Sequence, residues 1–94
     1  MYLDPAAQAL LARMVAEGWD LHVPYTLRNV PFLWRVRDAR IERGPEVDGR
    51  AYMALRSVGL IEDSAATFSL PVGLSLTPSA AGRIWCATIG KREG

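Results

Sequence analysis

The apolar residues at the start of the chain repeat with the period of an α-helix. Five of them follow spacings of three and four residues, which brings them to one side of a helix: Leu3, Ala7, Leu11, Met14 and Val15. Asp4 and Pro5 favour a helix start, because aspartate caps free backbone N–H groups and the first helical position needs no N–H. Gly18 is typical of a helix end. The pattern therefore predicts a helix between Asp4 and Gly18.

The period changes to two over residues 20–28. Apolar residues alternate here with polar ones, and the apolar set is Leu21, Val23, Tyr25 and Leu27. This alternation predicts a half-buried strand, and Pro24 is expected to confine that strand to a sheet edge or a bulge. His22, the single histidine, falls on the polar side, and local spacing places no acid or nucleophile near it. We therefore expect no catalytic role for it.

Residues 30–43 admit two interpretations. As strands, they place Val30, Phe32, Trp34 and Val36 on one face, and Arg35 and Arg37 on the other. Residues 38–39 would then turn the chain, and residues 40–43 would return as a further strand. As a helix, the segment would begin after Asn29 and stop at Gly44, with stripes that are only half apolar. We predict strands, because β-branched and aromatic residues favour them, with the aromatic face in the core under the first helix.

A second helix and a hairpin are predicted from residue 48 onward. Asp48 is a candidate N-cap, Gly59 a candidate helix end, and the apolar stripe between them is Ala51, Leu55 and Val58. Leu60 and Ile61 enter a strand. Alternation over residues 67–76 predicts the other arm of the hairpin, with a turn at residues 71–73.

The last helix is predicted to begin at Thr77 and Pro78, a cap followed by a proline at the first helical position. Four residues are expected to share its packed face: Ala81, Ile84, Trp85 and Thr88. Gly90 is expected to close it, which leaves residues 91–94 as a frayed tail. Residues 1–90 would then form a single domain.

Two runs of sequence resemble parts of winged-helix proteins. Residues 48–62, DGRAYMALRSVGLIE, resemble the recognition helix and the strand after it. Residues 74–83, LSLTPSAAGR, resemble the segment that leaves the wing and opens the last helix in MarR-type and PadR-type regulators. The resemblance covers residues 48–89. It implies a small α+β winged-helix-like domain with the order helix, strand pair, helix, wing hairpin and C-terminal helix.

The charge is unevenly distributed, although its net value of +1 favours no class of partner. Residues 28–56 hold seven Arg and four acidic residues, whereas residues 57–94 balance to zero. The resemblance implies that Arg50 and Arg56 contact phosphates or guanine edges. Together with the other basic residues of the middle segment, the candidate nucleic-acid- or partner-binding site is Arg35, Arg37, Arg40, Arg43, Arg50, Met53 and Arg56. A solvated helix face, or the arginine usage of a GC-rich genome, would explain the same residues without a partner.

Two functions remain open on this basis. The first is a small non-enzymatic nucleic-acid-binding protein, such as a transcriptional regulator on double-stranded DNA, with a homodimer through residues 4–18 or 78–89. The second is a protein–protein interaction module, such as a phage-encoded inhibitor of the anti-CRISPR type that docks on a host nucleoprotein complex. The predicted wing, residues 64–76, carries no Lys or Arg, which favours the second.

Enzymatic, metal and membrane functions find little support in the residues. One Cys and one His cannot build a structural zinc site, and the glycines form no phosphate-cradling loop. We therefore expect no enzyme, no cofactor and no metal. Cys86 has no partner for an internal disulfide, and no signal peptide or continuous apolar span is visible, so we expect a cytoplasmic protein. Trp19 is the tryptophan that we expect to be partly exposed.

Overall fold

The chain folds as a small α+β domain in a computed structural model that describes residues 3–25, 30–64 and 72–93. The elements are α1 (Pro5–Glu17), β1 (Asp20–Pro24), β2 (Phe32–Arg37), β3 (Arg40–Glu46), α2 (Gly49–Ser57), β4 (Ile61–Asp63), β5 (Gly73–Pro78) and α3 (Ala80–Glu93). The strands form one antiparallel sheet in the order β3-β2-β1-β5-β4. The α+β class is confirmed. Residues 67–71 of the predicted hairpin lie outside the described residues. Gly73, which was predicted to lie in the turn, is instead the first residue of β5.

Local capping signals place the first two helices as predicted. The side chain of Asp4 accepts a hydrogen bond from the backbone N–H of Ala6 at 2.8 Å, and Asp48 does the same for Arg50 at 3.0 Å. Gly18 has a φ of 72°, the left-handed conformation that ends many helices. These contacts involve residues two positions apart, which is why the sequence alone predicts them.

The start of α3 differs from the prediction. Thr77 and Pro78 are the last residues of β5, where Pro78 lies opposite Ile61. The cap is Ser79, whose hydroxyl accepts from the N–H of Gly82 at 3.1 Å and donates to the carbonyl of Gly59 at 2.7 Å. The helix then continues past the predicted end at residue 90, to Glu93.

One core lies between the helices and the sheet. Its fully buried side chains come from α1, α2 and three strands: Leu11, Met14, Leu21, Leu33, Leu55 and Leu76. The predicted packing face of α2 is wrong at Val58, which is exposed. The predicted face of α3 is wrong at Ala81, Ile84 and Thr88, which are exposed, whereas Trp85 is partly buried against the core. In α3 the buried contact is made by Gly82, where a Cβ atom would collide with the carbonyl oxygen of Leu60. Because α3 approaches the rest of the fold through a glycine, the pattern of large apolar residues does not predict which side of this helix is packed.

Strands β2 and β3 form the predicted hairpin, and their turn consists of Asp38 and Ala39. Both turn residues have left-handed backbones, with φ of 54° and 60°, as in the tight turns that match strand twist. The register then shifts between Phe32 and Trp34, which leaves an extra residue in β3 and makes a bulge near Gly44.

The predicted orientation of this hairpin is wrong. Leu33 enters the core under α1, whereas Phe32 and Trp34 are buried on the opposite face of the sheet. Alternation shows which residues share a face, but it does not show which face the helices cover. Trp19 also differs from its expected exposure. It is buried in the helix-side core, and a Cβ on Gly44 would lie 3.0 Å from its indole ring.

Strand β1 is central, although Pro24 predicted an edge or a bulge. The N–H of Tyr25 bonds to the carbonyl of Val72, beside β5, so the nitrogen of Pro24 points to the β2 side. Pairing with β2 ends at His22. No hydrogen bond between the strands is therefore lost because Pro24 lacks an N–H.

Candidate binding surfaces

The candidate residues lie in two groups, one along the β2–β3 hairpin and one on α2. The hairpin group contains Arg35, Arg37, Arg40 and Arg43, and the α2 group contains Arg50, Met53 and Arg56. The turn of the hairpin precedes β3, and α2 follows it. Because a strand rises by about 3.3 Å per residue, the seven residues of β3 separate the turn from α2 by roughly 20 Å. No single patch contains all of these candidates.

Arg35 is committed to contacts within the fold. Its Nε and Nη2 atoms donate to the two carboxylate oxygens of Glu42, each at 3.1 Å, and Nη1 donates to the carbonyl of Glu17. Its guanidinium also lies 4.1 Å from the centre of the Trp19 ring. The hydrogen bond from Arg35 lowers the pKa of Glu42. We therefore interpret Arg35 as a structural residue that joins α1 to the hairpin.

Arg37 and Arg40 are directly opposite each other beside the hairpin turn. Both side chains are exposed, and neither has a carboxylate within ion-pair distance among the described residues. Like charges at directly opposed strand positions destabilise a sheet. The next pair along the hairpin joins opposite charges, because Arg35 forms an ion pair with Glu42. Arg37 and Arg40 therefore face each other without a direct ion pair, although the charge of Arg37 also helps to lower the pKa of Glu42.

The face of the hairpin away from the helices has a different character. Arg43 lies on this face, and its guanidinium stacks 3.9 Å from the centre of the Phe32 ring. Beyond it, Val36 and Ile41 are directly opposite each other, and they are 45% and 38% exposed. This face therefore combines one stacked cation with a small aliphatic patch.

The α2 group forms one exposed helix face. Arg50, Met53 and Arg56 are spaced by three residues, and Ala51 and Leu55 anchor the opposite side in the core. Arg56 lies 3.6 Å from Asp63 in an exposed ion pair. Such pairs contribute little and leave the arginine able to exchange partners.

A groove of about 260 Å³ borders Arg50 between α1 and α2. Its lining residues are Asp4, Ala6, Asp48, Arg50, Ala51 and Ala54. The carboxylates of Asp4 and Asp48 already cap helices. The groove therefore offers the guanidinium of Arg50 beside a surface lined by alanine side chains. It has no acid–base pair that could carry a reaction.

A buried polar row crosses the helix-free face of the sheet, and the sequence analysis missed it. His22 is 3% exposed, its Nδ1 lies 3.2 Å from the hydroxyl of Ser75, and its ring packs against Phe32. The Nε2 atom has no hydrogen-bond partner and would lie 2.8 Å from a Cβ on Gly73. In the sequence, this row corresponds to polar residues at alternate positions of β1 and β5. These residues can be recognised as one row only when the pairing of the two strands is known.

Asp20 extends the same row and is half buried. Burial raises the pKa of Asp20, while the hydrogen bond with Thr77 and the charge of Arg83 act in the opposite direction. The row thus holds a carboxyl group whose pKa is raised, with burial as the largest cause. Because His22 is closed to solvent, we interpret this polar row as part of the packing of the sheet.

The described part of the chain contains no group of three or more His, Cys, Asp or Glu side chains placed to hold a metal ion. None of its helices has the length and apolar character needed to cross a membrane. Burial raises the pKa of the Cys86 thiol, which disfavours the reactive thiolate. Comparisons with protein-family models, curated proteins and solved structures find no match to this chain.

Proposed function

We propose that the chain is a non-enzymatic nucleic-acid-binding domain, of the kind used by small transcriptional regulators, that contacts the backbone of double-stranded DNA through Arg37 and Arg40. The observation that carries this proposal is the direct pairing, beside the hairpin turn, of two exposed arginines that have no ion-pair partner among the described residues. A phosphate between the two guanidinium groups would convert an unfavourable pair into a favourable one.

The dimensions of the hairpin suit this role. Directly opposed strand residues have Cβ atoms about 5 Å apart, so both guanidinium groups can converge on one phosphate or span two neighbouring ones. The major groove of DNA admits a two-stranded ribbon. The exposed face of α2 offers a second contact through Arg50 and Arg56.

The order of elements supports a winged-helix-like arrangement, which remains part of the proposal. Strands β1, β5 and β4 are neighbours in the sheet, and α2 comes directly before β4. Strands β2 and β3 occupy the position where a helix-turn-helix would need its second helix. In this proposal the hairpin replaces that helix as the companion of α2, and α2 is not expected to read the groove alone.

The proposal is tested by fluorescence anisotropy with a labelled duplex of about 20 base pairs between about 50 and 200 mM salt. The double variant Arg37→Gln/Arg40→Gln should lose at least about tenfold in affinity and reduce the salt slope by about 2. A charge-matched control is Arg13→Gln/Arg83→Gln, which removes two arginines outside both groups. Arg50→Gln/Arg56→Gln measures the contribution of α2.

Two results would contradict the proposal. One is the absence of any anisotropy change at the lowest salt with micromolar protein. The other is an equal loss of affinity in the hairpin variant and the charge-matched control, which would reduce the binding to net charge alone.

A protein partner is the second candidate function, and one observation favours it. Tyr25 and Val72 are both largely exposed and adjacent, with the N–H of Tyr25 bonded to the carbonyl of Val72 at 3.1 Å. Tyrosine is enriched at protein interfaces. If a stoichiometric protein is retained from a bacterial lysate, and Tyr25→Ser releases it without DNA being present, this function replaces DNA binding.

A further inference from the structure

The free end of the β2–β3 hairpin extends beyond the rest of the sheet. The pairing of β1 with β2 stops at Asp20, the first residue of β1, which lies opposite Trp34. Strand β3 is at the edge of the sheet. Residues 35–42 therefore form a two-stranded segment, the hairpin arm, that reaches about 10 Å past the start of β1. Because a two-stranded hairpin alone is only marginally stable in water, the direction of this arm depends on further contacts.

Arg35 connects the hairpin arm to the end of α1. Among the residues of the arm, it is the one whose side chain hydrogen-bonds outside the hairpin, from Nη1 to the carbonyl of Glu17. Glu17 is the last residue of α1, where backbone oxygens have no partner within the helix. The same guanidinium donates twice to Glu42, at 3.1 Å each, on the neighbouring strand of the arm. Arg35 thus joins two segments that share no strand pairing.

Trp19 provides a further contact for this guanidinium. The buried indole lies with its ring centre 4.1 Å from Cζ of Arg35. Its Nε1 atom donates to the side chain of Glu17 at 3.1 Å, which fixes the ring at the end of α1. A Cβ atom on Gly44 would lie 3.0 Å from two ring atoms, so β3 also packs on this indole. A lysine cannot reproduce this combination of a planar fork, a carbonyl and an aromatic face.

We propose that Arg35 is a positioning residue for DNA binding, which directs the hairpin arm so that Arg37 and Arg40 contact the same duplex as α2. Arg37 follows Arg35 by two residues and lies on the same face of β2, about 6–7 Å further along the strand. A change in direction at Arg35 therefore moves both exposed arginines relative to α2. The inference rests on the proposed function, since it concerns DNA that is bound through the arm.

The first test examines the hairpin arm without DNA. Arg35→Lys keeps the charge but loses the bidentate contact with Glu42 and the flat stacking on Trp19. We expect the heteronuclear NOE of the backbone amides of residues 36–41 to fall in this variant, because the arm then moves on the nanosecond timescale. The amides of residues 32–34, which pair with β1, should not change. Equal values in the parent chain and the variant would overturn the inference, because strand pairing alone would then hold the arm.

The second test measures binding to the same labelled duplex at about 50 mM salt. Arg35→Lys should weaken binding about fivefold, although the net charge is unchanged. The matched control is Arg83→Lys, which makes the same replacement on α3 and should keep the affinity of the parent chain within about twofold. Circular dichroism verifies the fold of each variant.

Glu42 allows a third test, in which net charge and positioning predict opposite signs. Glu42→Gln removes a negative charge, which by itself strengthens binding to DNA. Because this variant also loses a charge-assisted contact with Arg35, we expect binding to weaken about threefold instead. The control is Glu46→Gln on the same strand, which removes a carboxylate that has no ion pair among the described residues. It should strengthen binding slightly.

The outcomes distinguish the inference from the proposed function. If the parent chain binds DNA and Arg35→Lys binds equally well, the inference is wrong and the proposed function stands. The same holds if Glu42→Gln strengthens binding as Glu46→Gln does, and this comparison decides the question if Arg35→Lys does not fold. If the parent chain binds no DNA at the lowest salt, the proposed function and the inference are both wrong.

Discussion

The two faces of the sheet both bury side chains, but they are built from different residues. The face under the helices is filled by aliphatic side chains such as Leu21, Leu33 and Leu76. The other face carries Phe32 and Trp34 beside the buried pair His22 and Ser75. An aliphatic core tolerates imprecise geometry, whereas a buried imidazole depends on its single hydrogen bond and on the glycine beside it. We therefore expect substitutions on the two faces to differ in how specifically they disturb the fold.

Truncation of adjacent residues on opposite faces gives the largest expected effects. Trp34→Ala should lower the free energy of unfolding by about 3–5 kcal/mol, and Leu33→Ala by about 2–5 kcal/mol, because each side chain is 1% exposed. Urea unfolding monitored by circular dichroism measures both. A loss below about 1 kcal/mol for Trp34→Ala would show that the helix-free face is not a real core.

A glycine on each face provides the next comparison. A Cβ on Gly73 would collide with the Val23 carbonyl and approach Nε2 of His22, and a Cβ on Gly82 would collide with the Leu60 carbonyl. Alanine at either position should cost about 1–3 kcal/mol through overpacking. Combining Gly73→Ala with His22→Ala should recover part of the loss, whereas Gly82→Ala with His22→Ala should be additive. Additivity in both pairs would exclude a special contact between Gly73 and His22.

These pairs also show where prediction from sequence stops. The caps at Asp4 and Asp48 were predicted because each depends on residues two positions away. Strands β2 and β3 were predicted from their alternation. The face of these strands that packs under the helices was not predicted correctly, since a period of two fixes only the relative positions of side chains. The fit of Gly73 and Gly82 depends on contacts with distant segments, which no local pattern contains.

The same reasoning explains the candidate site. The arginine-rich segment was found from composition alone. No local pattern indicates that Glu42 accepts two hydrogen bonds from Arg35, or that Arg37 is directly opposite Arg40. Both facts follow from the register that the turn at residues 38–39 imposes. Register thus separates a structural arginine from two available ones.

Neighbouring arginines on one face of β2 should therefore respond differently to truncation. The hydrogen bonds of Arg35 and its stacking on Trp19 predict that Arg35→Ala loses about 1–2 kcal/mol of stability. Arg37→Ala should be neutral or slightly stabilising, because it relieves a like-charge pair. Thermal unfolding of both variants at low salt makes the comparison. Equal losses would mean that Arg37 has structural partners comparable to those of Arg35.

The smallest expected effect concerns Asp20, at the end of the polar row. Because burial raises the pKa of this carboxyl in the folded chain, the folded state binds the proton more tightly than the unfolded state does. The contribution of Asp20 to stability is then most favourable below its unfolded pKa and is lost as the pH rises through its folded value. Asp20→Asn keeps a polar partner for Thr77 but cannot ionise. Its stability relative to the parent chain should therefore improve as the pH rises from about 3.5 to 7. Urea midpoints measured at both pH values test this. An unchanged difference would show that ionisation of Asp20 does not distinguish the folded from the unfolded state, and a decrease would show that Arg83 outweighs burial.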